Sequence, residues 1–212
     1  MKNNQNGRSM VEMLGVLAII GVLSAGGLAG YSKAMFKHKL NNTMDQLTML
    51  VTNIRTMYGT QDSYKDLSNV QAVSLGIVPA AMKGTAKAAV APQGKEGEDG
   101  YVAGSAASQE LVNPFKGTVT IEPSGATAKG DNRAFTVTYA GLPTEACIAL
   151  VTADWGAGAG SGFIAVAAGS EKIEDALVGS GLGGRAEGAA YSVGNAINVC
   201  GSTTNTVALK FY

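Results

Sequence analysis

The sequence predicts an α+β protein: a long N-terminal helix, apolar in its first half and amphipathic in its second, packed on a head built around an antiparallel sheet. Three observations predict it. From Met13 to Ser32 no side chain is charged, a run of about 20 residues that as helix would extend roughly 30 Å, the thickness of a bilayer's hydrocarbon core. Beyond it, Leu40, Met44, Leu47, Val51, Ile54 and Tyr58 recur at spacings of four and three, the period of one helix face. From Leu111 onward, β-branched and aromatic residues alternate with polar ones between turn signals.

The helix comes first. No proline interrupts Ser9 to Tyr58 and Gly59 supplies a stop, so one helix of about 50 residues, roughly 75 Å long, is expected. Gly15, Gly21, Gly26, Gly27 and Gly30 punctuate its apolar half. Each costs up to about 1 kcal/mol relative to Ala. Gly26 and Gly30 fit the small-xxx-small spacing that lets helices approach closely; general tolerance of glycine in membrane helices accounts for them equally well. The Gly26-Gly27 pair is where the helix is expected to loosen if packing against other helices stretches it. At the start, Ser9-Met10-Val11-Glu12 fits a capping box, with Ser9 as cap and Glu12 bonding back. A lone carboxylate at the mouth of an apolar run is also a functional-site candidate, and Glu12 can serve in both ways.

Residues 60–82 read as a loop and a short helix capped by Ser68, with Val70, Val73 and Leu75 facing inward, Gly76 ending it and Pro79 preventing its return. Lys83 to Gln109 lacks periodicity and reads as an exposed loop, its Lys95-Glu96-Gly97-Glu98-Asp99 charges forming a solvated tip. Asn113 to Gly117 is a turn, Thr118 to Ile121 a strand, Pro123 to Asn132 a second turn region and Ala134 to Tyr139 a second strand, the two strands forming a hairpin. Pro143 opens a helix from Thr144 to Ala153 that carries Cys147. Gly156 to Gly162 is low-complexity sequence; no Gly-Lys-Ser/Thr follows, so a phosphate-binding loop is excluded. Phe163 to Ala168 reads as a strand, Glu171 to Val178 as a short helix, Gly179 to Ala190 as Gly-rich connection, and Val207 to Tyr212 as a closing strand.

Sixteen basic and sixteen acidic residues leave no net charge, so nothing suggests nucleic-acid binding, which would want a basic excess. His38 is the only histidine and sits between Lys37 and Lys39 on the long helix. No Ser/His/Asp or Cys/His arrangement can be assembled around it, no cluster has metal-ligand spacing, and Glu174 and Asp175 read as exposed helix charges. The chain is therefore expected to be no enzyme and to need no cofactor. Cys147 and Cys200 can pair, closing a loop of roughly 50 residues for which chain entropy gives about 4 kcal/mol; two buried free thiols are the alternative. Export favours the pair, because disulfides persist outside the cytoplasm.

Leader, carboxylate and apolar run together resemble the class III signal of type IV prepilins: Met1 to Gly7, then Arg8-Ser9-Met10-Val11-Glu12, then the uncharged segment. The order Leu75-Gly76-Ile77-Val78-Pro79, then Asn113-Pro114-Phe115-x-Gly117, two strands, and Leu142-Pro143-x-x-x-Cys147 looks like the head of type IVb pilins of the PilS-like, conjugative kind. The resemblance implies a type IV pilin fold with a leader at 1–7, a transmembrane and filament-core half-helix at 8–32, an amphipathic half at 33–58 and a head at 59–212. Within the head, 147–200 would be the disulfide-bounded region exposed on the filament. It implies cleavage by a prepilin peptidase between Gly7 and Arg8 and N-methylation at Arg8, although family members usually begin there with an apolar residue. Glu12 becomes the carboxylate that guides filament assembly.

The partners so implied are the peptidase, identical pilin subunits, the inner membrane and the assembly machinery. The expected location is the inner membrane, single-pass with a periplasmic C-terminus, then an extracellular pilus serving adhesion, conjugation or motility. A minor pilin or secretion-system pseudopilin shares the same signal. The reading from another class is a secreted soluble binding protein whose signal peptide is cut around Ser24 to Gly30. Charge alone points the other way on topology: Lys33, Lys37 and Lys39 after the run outnumber Lys2 and Arg8 before it, which by the positive-inside rule would leave the C-terminal side in the cytoplasm.

Overall fold

The computed structural model describes residues 10–91, 107–156 and 161–212. Gly7, Arg8 and the Ser9 cap lie outside these residues, as do the Lys95 to Asp99 tip and residues 157–160. Helix α1 runs Met10–Tyr58, 49 residues without a break, so the expected single helix forms and passes through Gly26 and Gly27 as helix. The chain divides into two compact units, the first ending at Asn41 and the second spanning Asn42–Tyr212.

In the second unit, α2 (Asn69–Ser74) and α3 (Thr144–Thr152) precede α4 (Val193–Val199). Six strands, β1 (Lys83–Lys87), β2 (Ser108–Val112), β3 (Thr118–Ser124), β4 (Ala134–Leu142), β5 (Phe163–Ala168) and β6 (Asn205–Phe211), form one antiparallel sheet in the order β1-β2-β3-β4-β6-β5. The later part of α1 buries Thr43, Leu47, Leu50, Val51, Ile54 and Tyr58. This is the predicted stripe from Leu47 onward, widened by Leu50, while Leu40 and Met44 are half-buried. A run of rings ties that helix face to the sheet: Tyr58 to Tyr64 at 5.3 Å, Tyr64 to Phe135 at 5.0 Å, Phe135 to Phe211 at 5.8 Å and Phe211 to Phe163 at 5.4 Å between centroids.

Successive strand residues point to opposite faces, and at β4, β6 and β5 both faces of the sheet are largely covered. Ala126, Ala134, Ile164, Ala165, Ala167, Ala176 and Leu182 form a further core, with Ile173 and Val178 packed on it. Every residue of β5 is accordingly buried.

Local chemistry explains most boundaries. Ser68 accepts a hydrogen bond from the Gln71 N–H at 3.2 Å, capping α2. Gly76, at φ +69, turns the chain out of that helix. Asn113 Oδ1 accepts from the Phe115 and Gly117 N–H groups while its Nδ2 donates to Ala140 O at 2.8 Å, fixing the β2–β3 turn. A Cβ at Gly117 would lie 1.8 Å from Ala140 O, so only glycine fits there.

Five expectations are corrected. Part of the Lys83 to Gln109 stretch is strand: β1 pairs with β2, and its pattern was invisible because the strand is almost wholly exposed and has no apolar face to bury. Leu75 is 39% exposed while Ala72 is fully buried in its place. Glu171 to Val178 forms only one 3-10 turn, Ile173–Asp175. The helix α4, capped by Ser192, was not anticipated. Pro123 belongs to β3 rather than to the following turn, paired with Phe135 of β4; β2 reaches β3 only at Thr118 and Val119, so its missing N–H faces an open edge.

Candidate functional site: an uncovered apolar helix and a clasped head region

The described residues of the first unit are helix alone. Met10, Val11, Leu14, Leu17, Ile19, Val22, Leu23 and Leu28 are each more than 60% exposed, and none of the most apolar 18 residues is buried within the chain. The five glycines of this segment meet nothing within 4 Å of where a Cβ would stand, so the helix surface carries shallow, unfilled notches. Glu12 lies in the first turn, exposed; a carboxylate there faces the positive end of the helix dipole. Where the apolar run ends, the Ser32 hydroxyl donates back to Leu28 O at 3.0 Å, and Lys33 and Lys37 follow on the surface. A helix this long and apolar is sufficient to cross a bilayer, and an apolar surface of this extent calls for a cover.

In the second unit, Cys147 and Cys200 form a disulfide with Cα atoms 5.8 Å apart, and both residues are fully buried. It joins the first turns of α3 to the C-terminal end of α4, where the Cys200 N–H donates to Ala196 O. The predicted pairing is therefore the observed one, and the two free thiols are excluded.

The loop so closed is organised by a clasp that sequence reasoning missed. Arg185 donates twice to Glu171, Nη1 to Oε1 at 3.0 Å and Nη2 to Oε2 at 2.9 Å, and once to Val166 O at 2.7 Å. Its guanidinium stacks 3.5 Å from the Tyr191 ring centroid. The Tyr191 hydroxyl donates to Glu171 and accepts from the Ala168 N–H. Burial alone would raise the Glu171 carboxyl, but the bonds from Arg185 and Tyr191 together with the Arg185 charge hold it below its usual value. Burial and the bond to Glu171 push the Tyr191 phenol up to about 12. Three partners separated by 14 and 20 positions leave no local periodicity to read.

Two further polar groups set the opposite face. Asp131 accepts the N–H groups of Ala126, Thr127, Ala128 and Arg133 at 2.7–3.0 Å. Burial opposes its charge, yet four backbone donors hold its carboxyl well below the usual range. Lys210 on β6 is fully buried and donates to Ala176 O at 2.6 Å; desolvation lowers its ammonium below the usual value. Strand alternation puts Lys210 on the face opposite Leu209 and Phe211, and Ala176 lies against it there.

Among the described residues no group of three or more His, Cys, Asp and Glu could hold a metal ion. His38 lies on α1 between two lysines, far in sequence from the acids and cysteines of the head.

Comparison with known proteins gives the family. The family described as "PilS N terminal" matches residues 37–209. The major structural subunit of bundle-forming pilus from Escherichia coli O127:H6 is 22% identical over 213 residues, covering 100% of this chain and 95% of that protein. The toxin coregulated pilin of Vibrio cholerae serotype O1 is 28% identical over 152 residues, covering 71% of this chain and 58% of that protein. Among solved structures, a type IVb pilin from Salmonella typhi has a TM-score of 0.48 at 18% identity, covering 82% of this chain and 97% of that one. TcpA, a type IV pilin from Vibrio cholerae El Tor biotype, has 0.45 at 22%, covering 82% and 99%. With the family matched across most of its length, the chain belongs to the PilS N-terminal family.

Proposed function

We propose that the chain is the structural subunit of a type IV pilus, anchored in the inner membrane by the first part of α1 and then polymerised with identical copies into an extracellular filament. The observation that carries this reading is the wholly unburied apolar segment of α1. In water it would aggregate; lipid satisfies it before assembly and the helices of neighbouring copies satisfy it afterwards. Relatives described as major structural subunits of a pilus support the same role.

The finer steps follow from the N-terminal residues. A prepilin peptidase would cut between Gly7 and Arg8, remove the leader that obstructs packing and free an α-amine at Arg8, the atom on which N-methylation would fall. In the filament, Glu12 of one copy would pair with that amine on its neighbour. An unpaired carboxylate in an apolar core is costly, and a correctly placed cation relieves much of that cost. The pair would act as a register device while apolar helix faces supply most of the packing energy. The role is structural rather than catalytic.

The test is the intact mass and N-terminal sequence of the protein from host membranes and from sheared filaments. A chain beginning at Arg8, heavier by about 14 Da if methylated, is the expected result. A chain beginning between Ser24 and Gly30 would mean conventional secretion and sink the proposal. Abundance in the sheared fraction separates a major subunit from a minor pilin.

A further inference from the structure

Between Glu12 and Asp45 the chain carries no carboxylate, yet Lys33, Lys37 and Lys39 all fall there. In a chain of zero net charge this is a local surplus of cations, placed directly after an uncharged helical run. Lys33 and Lys37 are exposed, one helical turn apart, and Tyr31 just before them is 64% exposed. From Tyr31 to Lys37 is about 9 Å along the helix axis, close to the depth of one headgroup layer, roughly 5–8 Å. An exposed tyrosine at the rim of the apolar run, followed by lysines whose stems can lie on lipid while their ammonium groups reach outward, is the composition of a membrane–water interface.

We propose that Tyr31, Lys33 and Lys37 form an interfacial collar that binds the phosphate-bearing headgroups of anionic phospholipids in the leaflet on the head side of the membrane. The proposal rests on the membrane-anchored reading above. It also gives the lysines a reason to sit where the positive-inside rule disfavours them, because cations on the translocated side oppose the required orientation unless something there holds them. The uncharged run supplies insertion without regard to lipid type; the collar adds preference for negative headgroups, decays with salt and sets the depth at which the helix rests.

The experiment uses the full chain reconstituted in phosphatidylcholine vesicles with trace spin-labelled phosphatidylglycerol or phosphatidylcholine, reading the motionally restricted fraction of each by electron paramagnetic resonance. The wild-type chain is expected to restrict phosphatidylglycerol about threefold more than phosphatidylcholine at low salt, with the ratio falling toward one in 0.5 M salt (roughly 4 Å of screening length). The double variant Lys33→Gln/Lys37→Gln should lose the preference while restricting the same total lipid. The control Lys83→Gln/Lys87→Gln, which removes two exposed lysines of the head, should keep it. Equal restriction of both lipids by the wild-type chain, or an unchanged preference in the double variant, overturns the collar and leaves the anchor standing. A double variant that keeps its lipid preference but fails to form filaments would assign the lysines to a protein contact, which also overturns it. No restricted lipid at all, with the chain failing to float with vesicles, would remove the membrane-anchored reading itself.

Discussion

Tyr139 buries its phenol oxygen completely in the sheet, and among the described residues that oxygen has no hydrogen-bond partner. A buried hydroxyl left unpaired costs about 1–3 kcal/mol, so Tyr139→Phe is expected to leave thermal stability unchanged or raise it, measured by circular dichroism melting of the wild-type and variant chains. Asp131 is the opposite case, a carboxylate made stable by its donors. Its folded form binds a proton less readily than the unfolded chain, whose ordinary value is 3.8. Its contribution is therefore complete above that value and is lost as pH falls through the depressed folded one; Glu171, also depressed, acts with the same sign from its ordinary 4.5. The melting temperature of the wild-type chain should fall below about pH 4, and Asp131→Asn should show a lower melting temperature at neutral pH with a shallower acid decline. An identical acid decline in the variant would remove Asp131 from the explanation. None of these roles was legible beforehand. The sequence shows that Asp131, Glu171, Arg185 and Lys210 are charged, but their partners arrive from distant stretches that only the closed fold brings together.

Elements with a face to bury announced themselves, and those without one did not. The stripe of α1, the alternation of β3 and β4 and the apolar run of β5 all follow from the core they cover. β1, exposed along nearly its whole length, is held by ladder hydrogen bonds that leave no hydrophobic pattern. α4 is seven residues with a buried Ala196 and exposed Val193 and Ile197, too short and too inverted in exposure to read as an amphipathic helix. Its position depends on the bridge to α3. With the cysteines 53 positions apart, removing the bridge should cost about 4 kcal/mol on the chain-entropy model. The double variant Cys147→Ser/Cys200→Ser is expected to unfold at markedly lower denaturant, with proteolytic cuts concentrated between residues 153 and 193. An unchanged denaturation midpoint would show that α3 and α4 hold together without it.

At the scale of the whole molecule, the division falls within one continuous helix: α1 supplies both an uncovered apolar segment and the buried stripe of the head. The two jobs are separable by mutation. Glu12→Ala falls in the first unit and is expected to leave the melting temperature of the second unchanged, to permit leader removal, and to reduce filament yield by an order of magnitude or more. Electron microscopy and gel quantification of sheared material check this, and normal filaments from the variant would refute the pairing role.

The sheet order carries a consequence for how the chain is made. Among the described strands β5 pairs with β6 alone, and β6 also closes the open side of β4. Roughly 36 residues separate β5 from β6, which at a ribosomal pace of about 5–20 residues per second is a delay of roughly 2–7 s. Throughout it, Phe163-Ile164-Ala165-Val166-Ala167-Ala168 has been synthesised but lacks the strand it pairs with. The head cannot finish folding from its leading end; it waits for its last strand, and a nascent chain halted before β6 offers proteases and sticky neighbours an unclaimed apolar ribbon.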